Sequence, residues 1–386
     1  MTSPVPLLFT IPNFITAGSG RAMLNIVERL DRKKFAPAVC VMRKGGRLDR
    51  EVERLGIPFL EADFAIPAKP YATLLGRAAR AARAFRPLAP ALWHSFHYGD
   101  DYTEPLIARL SGARAWIYTK KNMNWHQRSW QVRSFFASRI AAQNTDMMKY
   151  FFQKPRLRRK TVLIPRGVDT ERFRPDLPAS EGFRERAGIP TAAVVAGCVA
   201  HLLPVKGHAT LLQAAAKVPG LHLLLAGEPL EPEYAASLER LSEELGIRAR
   251  VHFVGGVARV PEFLLELDIY VLATRYVLAT RGRGEGCPVS LLEAMSSGRA
   301  CVATDIPGSR DVLEELRSGL LVPPEDPDSL ARALRDLAAS PDLRRALGRE
   351  ARARILARYT IEQEVAAHEA LYEEILPVPR ARSANP

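Results

Sequence analysis

Short, unbroken apolar runs separated by stretches of helical periodicity constrain this chain more than any other feature. In the first half the runs are 5–9, 36–42, 91–94, 114–119, 138–144 and 161–164. In the second half they are 193–199, 221–226, 251–254, 269–273, 300–304 and 319–322. A strand with one wet face alternates polar and apolar residues. A strand covered by helices on both faces has no polar side, so it reads as a continuous run. Amphipathic stretches lie between the runs, for example Met23, Ile26, Val27, Leu30 and Leu211, Leu212, Ala215. Strand–helix alternation carried through twice predicts an α/β chain of two doubly wound, Rossmann-like domains. The Pro- and charge-rich text between residues 165 and 190 reads as the linker. The boundary is set at 170, giving domains 1–170 and 171–358. The tail 377–386 reads as disordered. In doubly wound sheets, ligands bind in the crevice outside the carboxyl ends of the strands.

Composition narrows the function. Of 386 residues, 47% are hydrophobic and 25% charged, which excludes a disordered chain. No apolar run reaches the ~18 residues of a membrane span. The opening MTSPVPLLFTIP has no basic segment ahead of its apolar one, so a secretory signal is not expected. Cys40, Cys198, Cys287 and Cys301 are scattered, with no CxxC. That pattern gives neither a disulfide framework nor a zinc site, and it suits a reducing cytoplasm. No metal site or cofactor is expected. The net charge of +13 is lopsided. Residues 1–176 carry 31 Lys+Arg against 14 Asp+Glu, and the remaining 210 carry 24 against 28. The basic half should face something anionic.

Three stretches carry candidate chemistry. The richest is Glu285-Gly286-Cys287-Pro288-Val289-Ser290-Leu-Leu-Glu293. It places a turn and a helix start between two carboxylates. Backbone N–H groups at such a start hold phosphate, and flanking carboxylates accept hydrogen bonds from hydroxyls. The second is His201-Leu-Leu-Pro-Val-Lys206-Gly-His208, a loop after a buried strand. Lys206 is a compact cation suited to phosphate. The third is Gly18-Ser19-Gly20, after the first strand and opening the first helix, where small residues let backbone approach a phosphate. It is not GxGxxG, so a nicotinamide-binding reading is weak, and no GxxxxGK[ST] is present. Taken singly, each stretch also reads as an ordinary helix start. YVLATR occurs twice in tandem, at 270–275 and 276–281, which reads as a local duplication lengthening one loop.

Together these stretches resemble the retaining GT-B glycosyltransferases of family 4. The resemblance also takes in Ile164-Pro-Arg-Gly-Val-Asp169 with Phe173, Val251-His-Phe-Val-Gly255, Ala303-Thr-Asp-Ile-Pro-Gly308 and Gly319-Leu-Leu-Val-Pro-Pro-Glu-Asp326. It implies two Rossmann-like domains facing across a cleft, with a helix near 360–376 packing back on the first. It also implies sugar transfer from a UDP- or GDP-sugar, with the anomeric configuration retained and no metal. Carried over, Glu285 attends the donor sugar and Gly286–Ser290 contact sugar and diphosphate. Glu293 takes the ribose hydroxyls, and Lys206 with His201 neutralises the leaving diphosphate. Gly18, Ser19 and Gly20 approach it from the other domain, and Val254 and Gly255 line the base pocket.

Two positions depart from the family pattern. His201 stands where Arg is usual. An imidazole, with a pKa of about 6.5, then carries the charge only while protonated, and activity is expected to fall as pH rises. Lys121 stands where His is usual, and a protonated lysine cannot accept a proton. His94, His97 and His126 are the nearby substitutes. The +17 half is left for a glycan or lipid-linked acceptor. Its cations (Lys120, Lys121, Arg128, Arg133, Arg139, Lys149, Lys154, Arg156–Lys160) interleave with Trp125, Trp130, Phe135, Phe136, Met147, Met148, Phe151 and Phe152. That mixture suits peripheral contact with an anionic inner membrane face, or a packed core with a solvated surface. No nucleic-acid module appears. The competing readings are a donor-binding scaffold without turnover, suggested by Lys121, His201 and the repeat, and another enzyme of this fold such as a nucleotide-sugar epimerase.

Overall fold

The computed structural model describes residues 3–15, 17–125, 128–178, 182–275 and 286–376. Contacts divide them into two units. One holds the residues up to Arg166 and those from Ile361 onward; the other is Gly167–Thr360.

The first unit is built on seven parallel strands: β1 (Val5–Ile11), β2 (Phe35–Val41), β3 (Phe59–Glu61), β4 (Leu92–Ser95), β5 (Ala115–Lys120), β6 (Arg139–Ala142) and β7 (Thr161–Leu163). Their order is β3-β2-β1-β4-β5-β6-β7. Phe9 of β1 lies opposite Val39 on one side and His94 on the other. Alternate residues of β1 feed two different cores. Leu7, Phe9 and Ile11 join Met23, Ile26 and Val27, whereas Leu8 joins Cys40, Trp93 and Trp130. Both faces are dry, which is why the run in the sequence is unbroken.

The second unit repeats the plan with β8 (Val195–Val199), β9 (His222–Ala226), β10 (Val251–Gly255), β11 (Ile269–Leu272), β12 (Ala300–Thr304) and β13 (Leu320–Val322). Their order is β10-β9-β8-β11-β12-β13, again all parallel. Leu223 and Leu225 pack into one core and Leu224 into the other.

Each apolar run falls on a strand, with ends shifted by a residue or two. The strand missing from the sequence reading is β3. It is three residues long, partly exposed at the sheet edge, and pairs only with Val39–Val41, so it never needed an unbroken apolar run. In the first sheet the chain winds outward from β1 and returns to β4 beside it; in the second it does the same between β8 and β11. Each return is a switch point at which neighbouring loops diverge.

The helix Ile361–Ile375 belongs to the first unit. Tyr372 sits edge-on to Phe35 (centroids 5.7 Å apart), and its hydroxyl is 2.7 Å from Nδ1 of His94. Glu369 accepts from the Asp31 N–H at 2.7 Å. Among the described residues, no helix is long and apolar enough to cross a membrane, and no group of three metal-ligating side chains forms. The four cysteines are buried.

Candidate functional site

In the second unit, loops leaving the carboxyl edge of the sheet are tied to one another by backbone. Ala200 N–H donates to Ala226 O (2.8 Å), Leu202 to Glu228 O (3.0 Å), Gly227 to Gly255 O (2.8 Å) and Arg275 to Val205 O (2.8 Å). Two glycines make this closeness possible. A Cβ on Gly207 would lie 1.9 Å from Ala273 O, and one on Gly227 would lie 1.8 Å from Ala200 O. Gly207 also has φ +72°, a left-handed conformation that favours glycine. His201 and Lys206 bracket this welded loop, Lys206 closing the short turn Pro204–Lys206. His208 starts the next helix, His208–Ala216. Burial, with Lys206 beside it, pushes its pKa down to about 4, so it is a neutral, buried histidine.

The richest stretch follows β11. Glu285 and the second copy of the repeat lie outside the described residues. The first copy supplies Tyr270–Leu272 of β11 and the loop residue Arg275. Gly286-Cys287-Pro288 leads into the helix Val289–Ser296, which opens without a side-chain cap. Leu291 and Leu292 N–H close on Pro288 O at 3.1 and 3.2 Å. A helix that begins this way turns its first N–H donors and positive dipole end outward. Two contacts fix that first turn. Tyr270 Oη donates to Ser290 Oγ at 2.7 Å, and a Cβ on Gly308 would lie 2.6 Å from Gly286 O. Glu293 lies one turn in. Burial pushes its carboxyl up to about 7, against the pull of Arg172. Val254 and Gly255 end β10 where its register shifts. His201, Lys206, Val254, Gly255, Gly286–Ser290 and Glu293 therefore all sit on one sheet edge around the β8/β11 switch.

The first unit places its candidates less uniformly. Gly18, Ser19 and Gly20 lie inside the first turn of the helix Ala17–Arg29, not in a loop before it. A Cβ on Gly18 would meet nothing within 4 Å, whereas one on Gly20 would lie 2.6 Å from the Phe14 ring. Only Gly18 leaves room for a ligand, and Gly20 is small because Phe14 packs on it. Lys121 follows β5. Its Nζ donates to Phe96 O and lies 5.7 and 5.6 Å from the Phe96 and Tyr98 ring centroids. Burial, then Arg166 and Arg133, holds this amine well below the ordinary lysine range. The expected bar to proton acceptance is therefore relaxed. His94 is fully buried between Thr119 Oγ1 (2.8 Å) and Tyr372 Oη (2.7 Å) and is a core histidine. Burial pushes His97 down to about 4. His126 lies outside the described residues.

The sequence reading missed the hub beneath these loops. Glu104, fully buried, accepts from Thr10 Oγ1 (2.5 Å), Trp93 Nε1 (3.1 Å), Ser95 Oγ (2.7 Å) and Arg133 Nη2 (2.9 Å). It joins the ends of β1 and β4 to the helix Arg128–Phe136. Its partners are as far as 94 residues away in sequence, so no local pattern announces it.

Comparison with known proteins decides the family. Residues 16–172 match the model described as Glycosyltransferase Family 4, and residues 180–354 match Glycosyl transferases group 1. The chain belongs to glycosyltransferase family 4. A D-inositol 3-phosphate glycosyltransferase of Corynebacterium urealyticum is 35% identical over 235 residues, 58% of this chain and 54% of that relative. This chain thus spans about half the length of the relative it matches. A glycosyltransferase structure from Rickettsia africae superposes with a TM-score of 0.84 at 17% identity, over 97% of this chain and all of that one. Anabaena HepE in complex with UDP and glucose gives 0.80 at 18% identity, over 95% and 99%. The fold is GT-B, an α/β fold of two Rossmann-like domains.

In this family 4 chain the basic, aromatic stretch divides in two. Trp130, Met147 and Phe152 are core residues, and Trp125 stacks on Phe151 at 5.0 Å. Lys120 and Arg133 are fully buried, so neither belongs to a surface patch. What stays outside is Phe135 and Phe136, about half exposed, with the Arg156 guanidinium 4.0 Å from the Phe135 ring centroid and Lys160 at 5.9 Å.

Proposed function

We propose that this chain transfers a glycosyl group from a nucleoside diphosphate sugar to an acceptor hydroxyl, with retention and without a metal ion. The observation that carries this reading is the uncapped helix start at Val289, with the desolvated Glu293 one turn in and Lys206 on the adjoining welded loop. That set matches the needs of the donor. The sugar–phosphate C–O bond breaks and negative charge grows on the departing diphosphate. Preorganised N–H dipoles and a lysine stabilise that charge more in the transition state than in the ground state. The acceptor oxygen bonds to the anomeric carbon on the same face, and its proton passes to the leaving phosphate oxygen. Glu293 would hold the ribose hydroxyls and Glu285 the donor sugar. UDP is the first donor to try, since HepE was solved with UDP and glucose.

The test is release of nucleoside diphosphate from UDP-, GDP- and ADP-sugars, with product anomers read by NMR and activity compared with and without EDTA. Saturable binding with no turnover on any donor or acceptor overturns this reading in favour of the scaffold. A further proposal concerns location: Phe135 and Phe136 with Arg156 and Lys160 would rest on an anionic membrane surface, each nearby cation adding about 1 kcal/mol. Co-sedimentation with vesicles that ignores both anionic lipid content and salt would dispose of it.

A further inference from the structure

The chain enters the second unit at Gly167, and the stretch that follows is fastened to the carboxyl end of the helix Val289–Ser296. Ser296 Oγ donates to Phe173 O at 2.6 Å. Arg352 Nη1 donates to Ser296 O (2.5 Å) and to Phe173 O (3.0 Å), and its Nη2 to Thr170 O (3.4 Å). One guanidinium thus ties the last turn of that helix to carbonyls on both sides of Arg172. A planar fork of fixed donors suits this post better than a single ammonium does. Arg352 lies one turn beyond Gly348 on the helix Pro341–Arg358, and a Cβ on Gly348 would lie 2.2 Å from Gly298 O. Asp169 Oδ1 accepts from the Arg172 N–H at 3.0 Å and fixes its backbone. The Arg172 side chain is exposed, its guanidinium 5.4 Å from the Phe173 ring centroid.

Glu293 stands three residues before Ser296, so the two neighbour each other on the helix surface. Ser297 N–H donates to Glu293 O at 2.9 Å. The clamp is therefore built on the turn that follows Glu293. Among the described residues, Arg172 is the charged group that bears on the Glu293 carboxyl.

We propose that Arg172 is a positioning residue for the donor ribose: clamped by Arg352 and Ser296, its guanidinium holds Glu293 as the ionised carboxylate that accepts the ribose hydroxyls. The proposal rests on Glu293 serving the donor, and it places control of that carboxylate in the stretch by which the chain enters the unit. A carboxyl taken out of water prefers its neutral form, which has less to offer a pair of O–H donors. A permanently charged guanidinium offsets the cost of ionising it. The other elements packed on the helix bring Tyr270 from β11, Cys301 from β12 and Arg352. The Tyr270 hydroxyl is bonded to Ser290, burial pushes the Cys301 thiol up, and the Arg352 donors go to carbonyls. With Arg172 present the Glu293 carboxyl titrates at about 7. Removing Arg172 moves that midpoint up, so donor affinity drops near neutrality and returns in alkali.

Two readouts on the full chain test this. One is the titration of the Glu293 carboxyl by NMR, in protein carrying carbon-13 at its glutamate carboxyls and with the resonance assigned through Glu293→Gln; it needs no ligand. The other is UDP affinity at pH 7 and pH 9 by calorimetry. Arg172→Met should move the carboxyl midpoint up by about one unit. UDP binding should then be about fivefold weaker at pH 7 and equal to wild type at pH 9. Arg172→Lys should restore most of both. Arg352→Met should weaken binding at pH 7 in the same direction, and placed on top of Arg172→Met it should move the midpoint no further. A midpoint that Arg172→Met leaves in place overturns the proposal. So does a loss of UDP affinity that is equal at the two pH values, the mark of a merely structural part for this residue. A moved midpoint with unchanged UDP affinity at pH 7 overturns it too, because Glu293 then lies away from the ribose. Turnover of a nucleotide-sugar with any of these three results sinks this proposal alone. A wild type that neither binds UDP nor turns over any donor sinks the transferase reading and this proposal with it.

Discussion

The two units share a sheet plan but equip their switch points differently. Around β8/β11 the loops are held by backbone hydrogen bonds and by glycines pressed onto carbonyls. Around β1/β4 the loops stand on buried charged side chains, Glu104 with Arg133 and Glu364 with Arg166. Backbone geometry depends little on side-chain identity, so it suits a diphosphate group common to many donors. A side-chain network depends on each of its members, so it tolerates substitution far less.

The sharpest way to break this comparison is to remove one charge from the first unit. Glu104→Leu leaves Arg133 buried and uncompensated and should destabilise by about 3–5 kcal/mol in urea unfolding. Glu350→Ala, which breaks the exposed pair with Arg317 in the second unit, should fall below about 1 kcal/mol. Next is Lys206→Met, expected to lower kcat by about 10²–10³ if it stabilises the leaving diphosphate. Stability should stay near wild type, which separates it from Glu104. A pair of glycines refines the point about backbone. Gly207 and Gly246 both have positive φ, but only Gly207 backs onto a carbonyl. Gly246→Ala should cost about 1–2 kcal/mol of stability and leave UDP affinity alone. Gly207→Ala should cost more and also weaken UDP binding.

The smallest effects are in pH dependence. Glu293 has its folded pKa raised to about 7, above the ordinary carboxyl value of 4.5. The folded state therefore binds that proton better than the unfolded one does. Its contribution favours folding at low pH and is lost as pH rises from about 4.5 through about 7. Glu293→Gln should flatten that part of a Tm–pH curve. It should also remove the rise in UDP affinity near pH 7, since the carboxylate form accepts ribose hydroxyls better. His201→Arg exchanges an imidazole for a permanent cation and should raise the rate at pH 8.5 relative to pH 6 if this position faces the diphosphate; an unchanged ratio removes His201 from the site.

Much of the fold was legible because burial on both faces writes strands as unbroken apolar text. β3 escaped because a short, half-exposed edge strand does not need such text. In the second unit the candidate residues were legible because glycines, a proline turn and a helix start lie within a few residues of one another. In the first unit, Gly20 was read as a ligand approach, and the structure shows it yielding to Phe14, six residues earlier. Lys120 and Arg133 read as surface cations, and the structure buries both. Nothing in a linear pattern distinguishes a lysine on water from one over Trp130.

By itself the sequence determined two parallel α/β sheets and the local motifs after β8 and β11, because these depend on burial periodicity and short-range turn chemistry. Only the tertiary structure decided that Arg133 and Arg166 are matched by carboxylates, whereas among the described residues no ion pair forms at Lys121. Those pairings join residues 29 and 198 positions apart. Charge balance is a sum over neighbours in space, and the chain order does not say who those neighbours are.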